Sequence, residues 1–323
     1  MRRIILNRLI WAIPILIGMS ILSFVLMKLS PGGVFEQMKM DPLTSKELIK
    51  QYEHKYGFDK PMLKQYLLWA GNFLKGDLGY SFYFKAPVKD VLKSRIKNTV
   101  ILSVISMLII WALALPLGVI GAIKKTSILE KGLSFLSFVG MCLPGFFLAF
   151  LLLSLASKTG LLPTGSAHSI FYNQLPFWLK PIDLLRHLAI PAFVIALPSA
   201  SALYRIIQSN VRKAYNMPFS KNAISRGLPE DIVSIDYALR NSIHPLIVIF
   251  GYQIADILSG AALVEIICNW PGLGTIMLSA VQAQDMHLVM SIMMISGIML
   301  IFGNLISDIL LYVSDPRIRE AVI

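Results

Sequence analysis

Charge is what this chain has least of. Asp, Glu, Lys and Arg make up 15% of its 323 residues, against about 25% in a soluble domain. Acids are the scarcer sign, 18 against 30 basic residues, while 56% of the chain is hydrophobic. An ordinary water-soluble domain is thereby excluded. Cysteine is nearly absent: Cys142 lies inside one apolar run and Cys268 at the end of another. Two such residues make neither a disulfide framework nor a metal set, and apolar filling accounts for both. Histidine is limited to five scattered positions. A G-x-x-x-x-G-K-[ST] phosphate loop is missing too, since Gly118 to Thr126 has its glycines and lysines at the wrong spacing. The chain by itself is therefore not expected to hydrolyse ATP. With no metal-binding His pair and no Ser/His/Asp arrangement, it does not read as an enzyme. The net charge of +12 comes without a nucleic-acid-binding motif. Strong internal repeats and low-complexity segments are also lacking.

What is present is a series of apolar runs long enough to cross about 30 Å of hydrocarbon. The expected fold is an all-α polytopic membrane protein with six spans. Leu9 to Leu29 follows a short basic flank and is too long for a signal-peptide core, so residues 1–29 read as a retained first helix. Arg2 and Arg3 resemble a twin-arginine signal, but as anchoring charges they already place the N-terminus inside. Residues 30–99 form a mixed segment with helical patterns around Ser45–Tyr56 and Met62–Leu74. It holds twelve Lys and Arg between Lys39 and Lys97, yet the positive-inside rule weakens beyond about 60 residues. An outside location is expected. Residues 100–323 supply the other five spans: Val100–Ile123, Leu133–Ser157 with a kink at Pro144-Gly145, Leu188–Gln208 bent by Pro191 and Pro198, Pro245–Ile267, and Leu288–Val313. Each short inside segment carries Lys or Arg, whereas Cys268–His287 carries neither. Both termini are expected on the cytoplasmic side.

The inside connection 209–244 is unusually long and charged for a link between membrane helices. Its plain reading is a solvated, topology-setting loop; its sharper one is a short helix held out for a partner to push on. Phe219, Ala223, Arg226 and Gly227, followed by Ala238-Leu239-Arg240-Asn241 and Pro245, resemble the cytoplasmic coupling loop of ABC importer permeases. The likeness is to its form in the dipeptide/oligopeptide/nickel family, Y-x-x-x-A-R-A-K-G-L and then H-A-L-R-N-x-x-x-P. Lys221-Asn222-Ala223 stands where Glu-Ala-Ala lies in other ABC importers, with Ile224 and Ser225 in place of Arg and Ala. Tyr56-Gly57-Phe58-Asp59-Lys60-Pro61, Gln65-Tyr66 and Gly76-Asp77-Leu78-Gly79-x-Ser81 resemble the same family's outer segment. There Gly76 and Gly79 suit a tight turn and Asp77 a capping bond. A further block, Val264-Glu265-x-x-Cys268-Asn269-Trp270-Pro271-Gly272-Leu273-Gly274, resembles V-E-x-x-F-x-W-P-G-L-G. Pro and Gly at that depth demand a chain reversal covered by protein or water, and Trp270 suits a membrane interface. Gln284-Asp285-Met286-His287 occupies the place of the family's R-D-Y-P, and the tail from Asp315 to Arg319 resembles D-P-R-x-R.

The resemblance implies the first (B-type) permease of a binding-protein-dependent peptide importer in the bacterial cytoplasmic (inner) membrane. It implies a homologous permease, two ATPases that use ATP and Mg, and an external substrate-binding protein as partners, with no cofactor held by this chain. Phe219, Lys221, Ala223, Arg226, Gly227 and Leu228 would couple to the ATPases. Glu265, Trp270, Pro271, Gly272 and Gly274 would form the outward mouth. From spacing, Gln253 and Asp256 share a face of span five, as do Asn304 and Asp308 on span six. Gln253, Asp256 and Asn304 are candidates for a water-filled path, though Asp256 fits a subunit seam equally well. Asp308 is expected to pair with Arg205 near the inner surface. Gly251, Ala255 and Ser259 read as a close packing seam. Uptake of nickel or another small solute is the alternative within the class, and an ion-coupled secondary transporter the alternative outside it.

Overall fold

A computed structural model describes residues 2–30, 32, 45–124, 127–260 and 262–314. Apart from one two-residue ribbon, its regular structure is helical. Helix α1 (Arg2–Leu29) is followed by α2 (Lys46–Lys55) and α3 (Met62–Leu74), where the pattern expects helices. Strands β1 (Tyr80–Ser81) and β2 (Ala86–Pro87) pair antiparallel and lead into α4 (Val88–Ile123). Ahead of the ribbon, Gly76 and Gly79 adopt φ of +81° and +82°. Asp77 Oδ1 accepts the Gly79 N–H at 2.9 Å, an Asx-type turn.

Helices α5 (Ile128–Cys142) and α6 (Gly145–Thr159) occupy the expected third span. The difference from a mid-span kink is large, for they meet at 101°. Pro144 lacks an N–H and drives Leu143 to extended ψ of 117°, so the helix stops and restarts. Helix α7 (Leu179–Tyr215) runs unbroken through Pro191 and Pro198. After it come α8 (Pro218–Ser225), one turn α9 (Glu230–Ile232), a π-helical stretch Val233–Leu239, and α10 (Arg240–Gly260). The chain closes with α11 (Ala262–Ile267), α12 (Leu273–Gln282) and α13 (Met286–Ser314).

Among the described residues, α1, α4, α7 and α13 are long and apolar enough to cross a membrane. The bent pair α5–α6 makes a fifth if taken as one span. Of the expected span 245–267, α10 and α11 carry the described residues on either side of position 261, and Pro245–Ile254 is an apolar helical stretch among those described. The main core lies between α4 and α7, where Ile110, Ala114, Leu203, Ile207 and Val211 are buried together with Ala238 and Leu246. A second core sets α4 against α12 and the start of α13 through Leu92, Ile276 and Leu288. Helices α10 and α13 approach so closely at Gly251 that a Cβ there would overlap Ser307. A small residue at this seam lets the backbones touch. Side chains 255–260, those of Ala255, Asp256 and Ser259 included, lie outside the described residues, as does the tail from Asp315.

Candidate functional site: a short helix on the bundle and a buried junction

Helix α8 lies across the end of the bundle where α7 closes and the π-helical stretch begins. Met217 is extended and Pro218 takes the first helical position, where its missing N–H is harmless and its φ is already set. The inward face is small: Ser220 and Ala223 are buried, and Ser220 Oγ donates to Ala214 O of α7 at 2.9 Å. Phe219 packs on the core between α4 and α7. Lys221, Asn222, Ile224, Ser225 and Arg226 are left exposed. The helix ends in a Schellman motif. Gly227 N–H donates to Ile224 O at 2.9 Å and Leu228 N–H to Ala223 O at 3.3 Å, with Gly227 at φ +78°. Open space surrounds the place of a Gly227 Cβ, so only the left-handed backbone selects glycine there.

The six residues expected to couple therefore divide. Phe219 and Ala223 anchor, Gly227 and Leu228 stop the helix, and Lys221 and Arg226 face outward. Downstream, Ala238 is fully buried in the main core inside the π-helical stretch. Such stretches recur at functional sites.

Sequence reasoning missed the polar knot beside this helix. Arg212 of α7 pairs with Glu130 of α5 at 3.0 Å and donates to Gly121 O of α4 at 2.8 Å. Gln208 Nε2 donates to the same Glu130 oxygen at 3.1 Å. The i, i+4 spacing of Gln208 and Arg212 was a signal available in the sequence. Arg205 instead lies 3.8 Å over the Phe138 ring. The expected Arg205–Asp308 pair does not form. Asp308 bonds Arg8, at 2.5 Å to Nε and 3.0 Å to Nη2, because α1 packs along α13.

At the other end, the residues expected at an outward mouth are brought together, but inside the protein. Glu265 is 1% and Trp270 0% exposed. Glu265 accepts from Thr99 Oγ1 and from Gly274 N–H, each at 2.6 Å. Thr99 Oγ1 in turn accepts the Leu273 N–H at 2.8 Å. Trp270 Nε1 donates to Asn98 O at 3.1 Å, and Asn98 Nδ2 to Pro271 O at 2.9 Å. Trp270 thus satisfies its N–H within the fold rather than at a lipid interface. Gly272 has an ordinary φ of −104°. It is glycine because a Cβ would overlap the Glu265 carboxylate. The chain reversal is a sealed junction that fixes α11 and α12 on Asn98 and Thr99 of α4.

A second buried acid ties the β1–β2 ribbon to the start of α13. Asp285 is wholly buried and accepts from Ser81 Oγ at 2.7 Å, Tyr83 N–H at 3.1 Å and Leu288 N–H at 3.3 Å. His287 is packed among Tyr56, Phe58 and Phe82. His54 and His168 make contacts of their own. His54 hydrogen-bonds Asp59 at 2.9 Å, which holds that carboxyl below its ordinary range. His168 stacks on Tyr172, and burial holds its imidazole below the usual value. Of the path candidates, Gln253 Oε1 accepts from Trp111 Nε1 at 2.8 Å, while Asn304 is half-buried on α13.

A short helix is thus pinned across one end of the spans and a buried V-E-to-G-L-G junction lies at the other. Residues 114–320 match the binding-protein-dependent transport system inner membrane component. The chain belongs to that family. It is accordingly a multi-pass inner-membrane permease, a transport component and not an enzyme. It is 36% identical over 317 residues to the oligopeptide transport system permease protein AppB of Bacillus subtilis (strain 168), covering 98% of both chains. The di/tripeptide transport system permease protein DppB of Pseudomonas aeruginosa (strain UCBPP-PA14) is 30% identical, again over 98% of both. A putative peptide permease protein of Brucella suis is 30% identical over 99% of both.

Proposed function

We propose that this chain is the transmembrane subunit of an ATP-driven peptide importer. With a homologous permease it forms a path for di- or oligopeptides delivered by an external binding protein. Two partner ATPases consume ATP and Mg, and this chain holds no cofactor. The observation that carries the reading is the seating of α8: an anchored inward face at Ser220 and Ala223 and an exposed outward face at Lys221 and Arg226. Such a helix transmits a push to α7 and the π-helical stretch rather than swinging freely. In free-energy terms, nucleotide binds one global state better, and α8 is where that difference crosses between subunits.

The proposal includes six spans with cytoplasmic termini, α10 and α11 together making the fifth. It also includes the division into a first helix 1–29, an outer segment 30–99 and a core 100–323 with the coupling loop 209–244. Gln253, Asp256 and Asn304 remain the path residues proposed. The buried junction of Glu265, Trp270, Pro271, Gly272 and Gly274 shapes the outward mouth from beneath and leaves contact with the binding protein to the surface above it. Nickel uptake is the weaker reading, for among the described residues no group of three His, Cys, Asp or Glu is placed to hold a metal ion.

The test is reconstitution of the complete complex in liposomes. ATP-dependent accumulation of labelled peptide that requires the binding protein is expected. Uptake by this chain alone under an ion gradient would overturn the proposal in favour of a secondary transporter.

A further inference from the structure

A cavity of about 270 Å³ lies between the outer helices and the start of α13. Its wall from α3 is made by Gln65, Leu68, Trp69 and Asn72, three and four positions apart and so on one helix face. Two side chains of that wall carry a buried polar atom with no hydrogen-bond partner, Gln65 Oε1 and Trp69 Nε1. The orientation of Gln65 is fixed from its other end, where Nε2 donates to Phe58 O at 2.9 Å and Lys60 O at 2.6 Å. Its carbonyl oxygen is therefore the acceptor left over. Trp69 is 7% exposed and held in tilted ring contact between Tyr66 and Phe73, so its N–H cannot turn to solvent. Buried polar groups in folded proteins are rarely left in this state.

In the remaining wall Lys55 and Lys60 bring positive charge and Asp77 a carboxylate, while Tyr56, Phe58, Met286 and the buried His287 supply ring and apolar surface. Asp77 spends Oδ1 on Gly79 N–H and keeps its second oxygen. A ligand that meets all of this carries an anion, a cation and an apolar body within a few ångströms. We propose that the cavity binds a free apolar α-amino acid as its zwitterion. The carboxylate lies toward the Trp69 N–H and the lysines, the ammonium toward Gln65 Oε1 and Asp77, and the side chain on the aromatic wall. An apolar cavity of about 150 Å³ takes up benzene, so the volume here accommodates a leucine or phenylalanine. The site stands independently of peptide import, and either can fail without the other.

Calorimetric titration of the full chain in lipid nanodiscs tests it, with L-leucine and L-phenylalanine as probes. Saturable binding is expected. Leucinamide, N-acetyl-leucine and leucyl-leucine should each bind at least tenfold more weakly, because each removes one charge or moves the two apart. Trp69→Phe keeps the ring and deletes the donor, and a tenfold loss is expected, with size-exclusion profile unchanged. Lys60→Met, at an exposed position, should weaken binding without touching the fold. Absence of saturable binding by both amino acids, as for a cavity that holds only water, would overturn the proposal. So would equal binding of the capped or dipeptide analogues, or wild-type affinity in both variants.

Discussion

Arg8 and Asp308 stand 300 positions apart and meet in a two-point ion pair, Nε and Nη2 of one on the two carboxylate oxygens of the other. The pair ties the start of α1 to the last part of α13. Its side chains are 56% and 24% exposed, so a coupling of about 0.5–1 kcal/mol is the scale to expect. A double-mutant cycle of Arg8→Gln with Asp308→Asn, read by thermal unfolding in detergent, should show that coupling. The same cycle with Arg205→Gln should be additive. Coupling to Arg205 alone would contradict the pairing found.

Gly227→Val should uncouple transport. A β-branched residue at φ +78° is strained by about 1–2 kcal/mol, comparable with a coupling free energy of about 1–3 kcal/mol. Gly227→Asn should retain more activity, since Asn tolerates the left-handed region. Uptake and ATPase rates, each per assembled complex, decide. Normal uptake per complex in the valine variant would reduce Gly227 to a surface turn.

Gly272→Ala should lower the yield of assembled complex, not merely its uptake rate. The added methyl overlaps the Glu265 carboxylate, and that carboxylate holds both Thr99 and Gly274. Thr99→Val, which strands the Glu265 oxygen and the Leu273 N–H, should destabilise by about 1–3 kcal/mol. Complex yield and melting temperature after purification are the readouts. Full yield with selectively lost uptake would make this segment a gate instead of a structural junction.

Topology is open to single-cysteine labelling once Cys142 and Cys268 are replaced. Ser45→Cys should react from outside and Ser225→Cys from inside. Ser225 is exposed and open to a labelling reagent. Both labelling from one side would overturn the six-span arrangement with the outer segment outside.

The sequence by itself determined the membrane class, helices α2 and α3 and the motif-bearing blocks. Those properties rest on local quantities: apolar run length, 3.6-residue periodicity, and glycines whose backbone needs are written nearby. Gly227 belongs to that group, as does the Gly76–Gly79 turn, because a helix stop or a tight turn involves a handful of neighbouring residues. Only the tertiary structure decided which side chains meet. Trp270 reads as an interfacial residue until Asn98 O is found 3.1 Å from its indole nitrogen. Asp308 reads as a partner for Arg205 until α1 is laid along α13. Gly272 reads as a flexible reversal until Glu265 is seen filling the place of its side chain. In each case the partner lies on a helix distant in the chain. Packing of one helix against another depends on shape over many residues at once, which no single window of sequence contains.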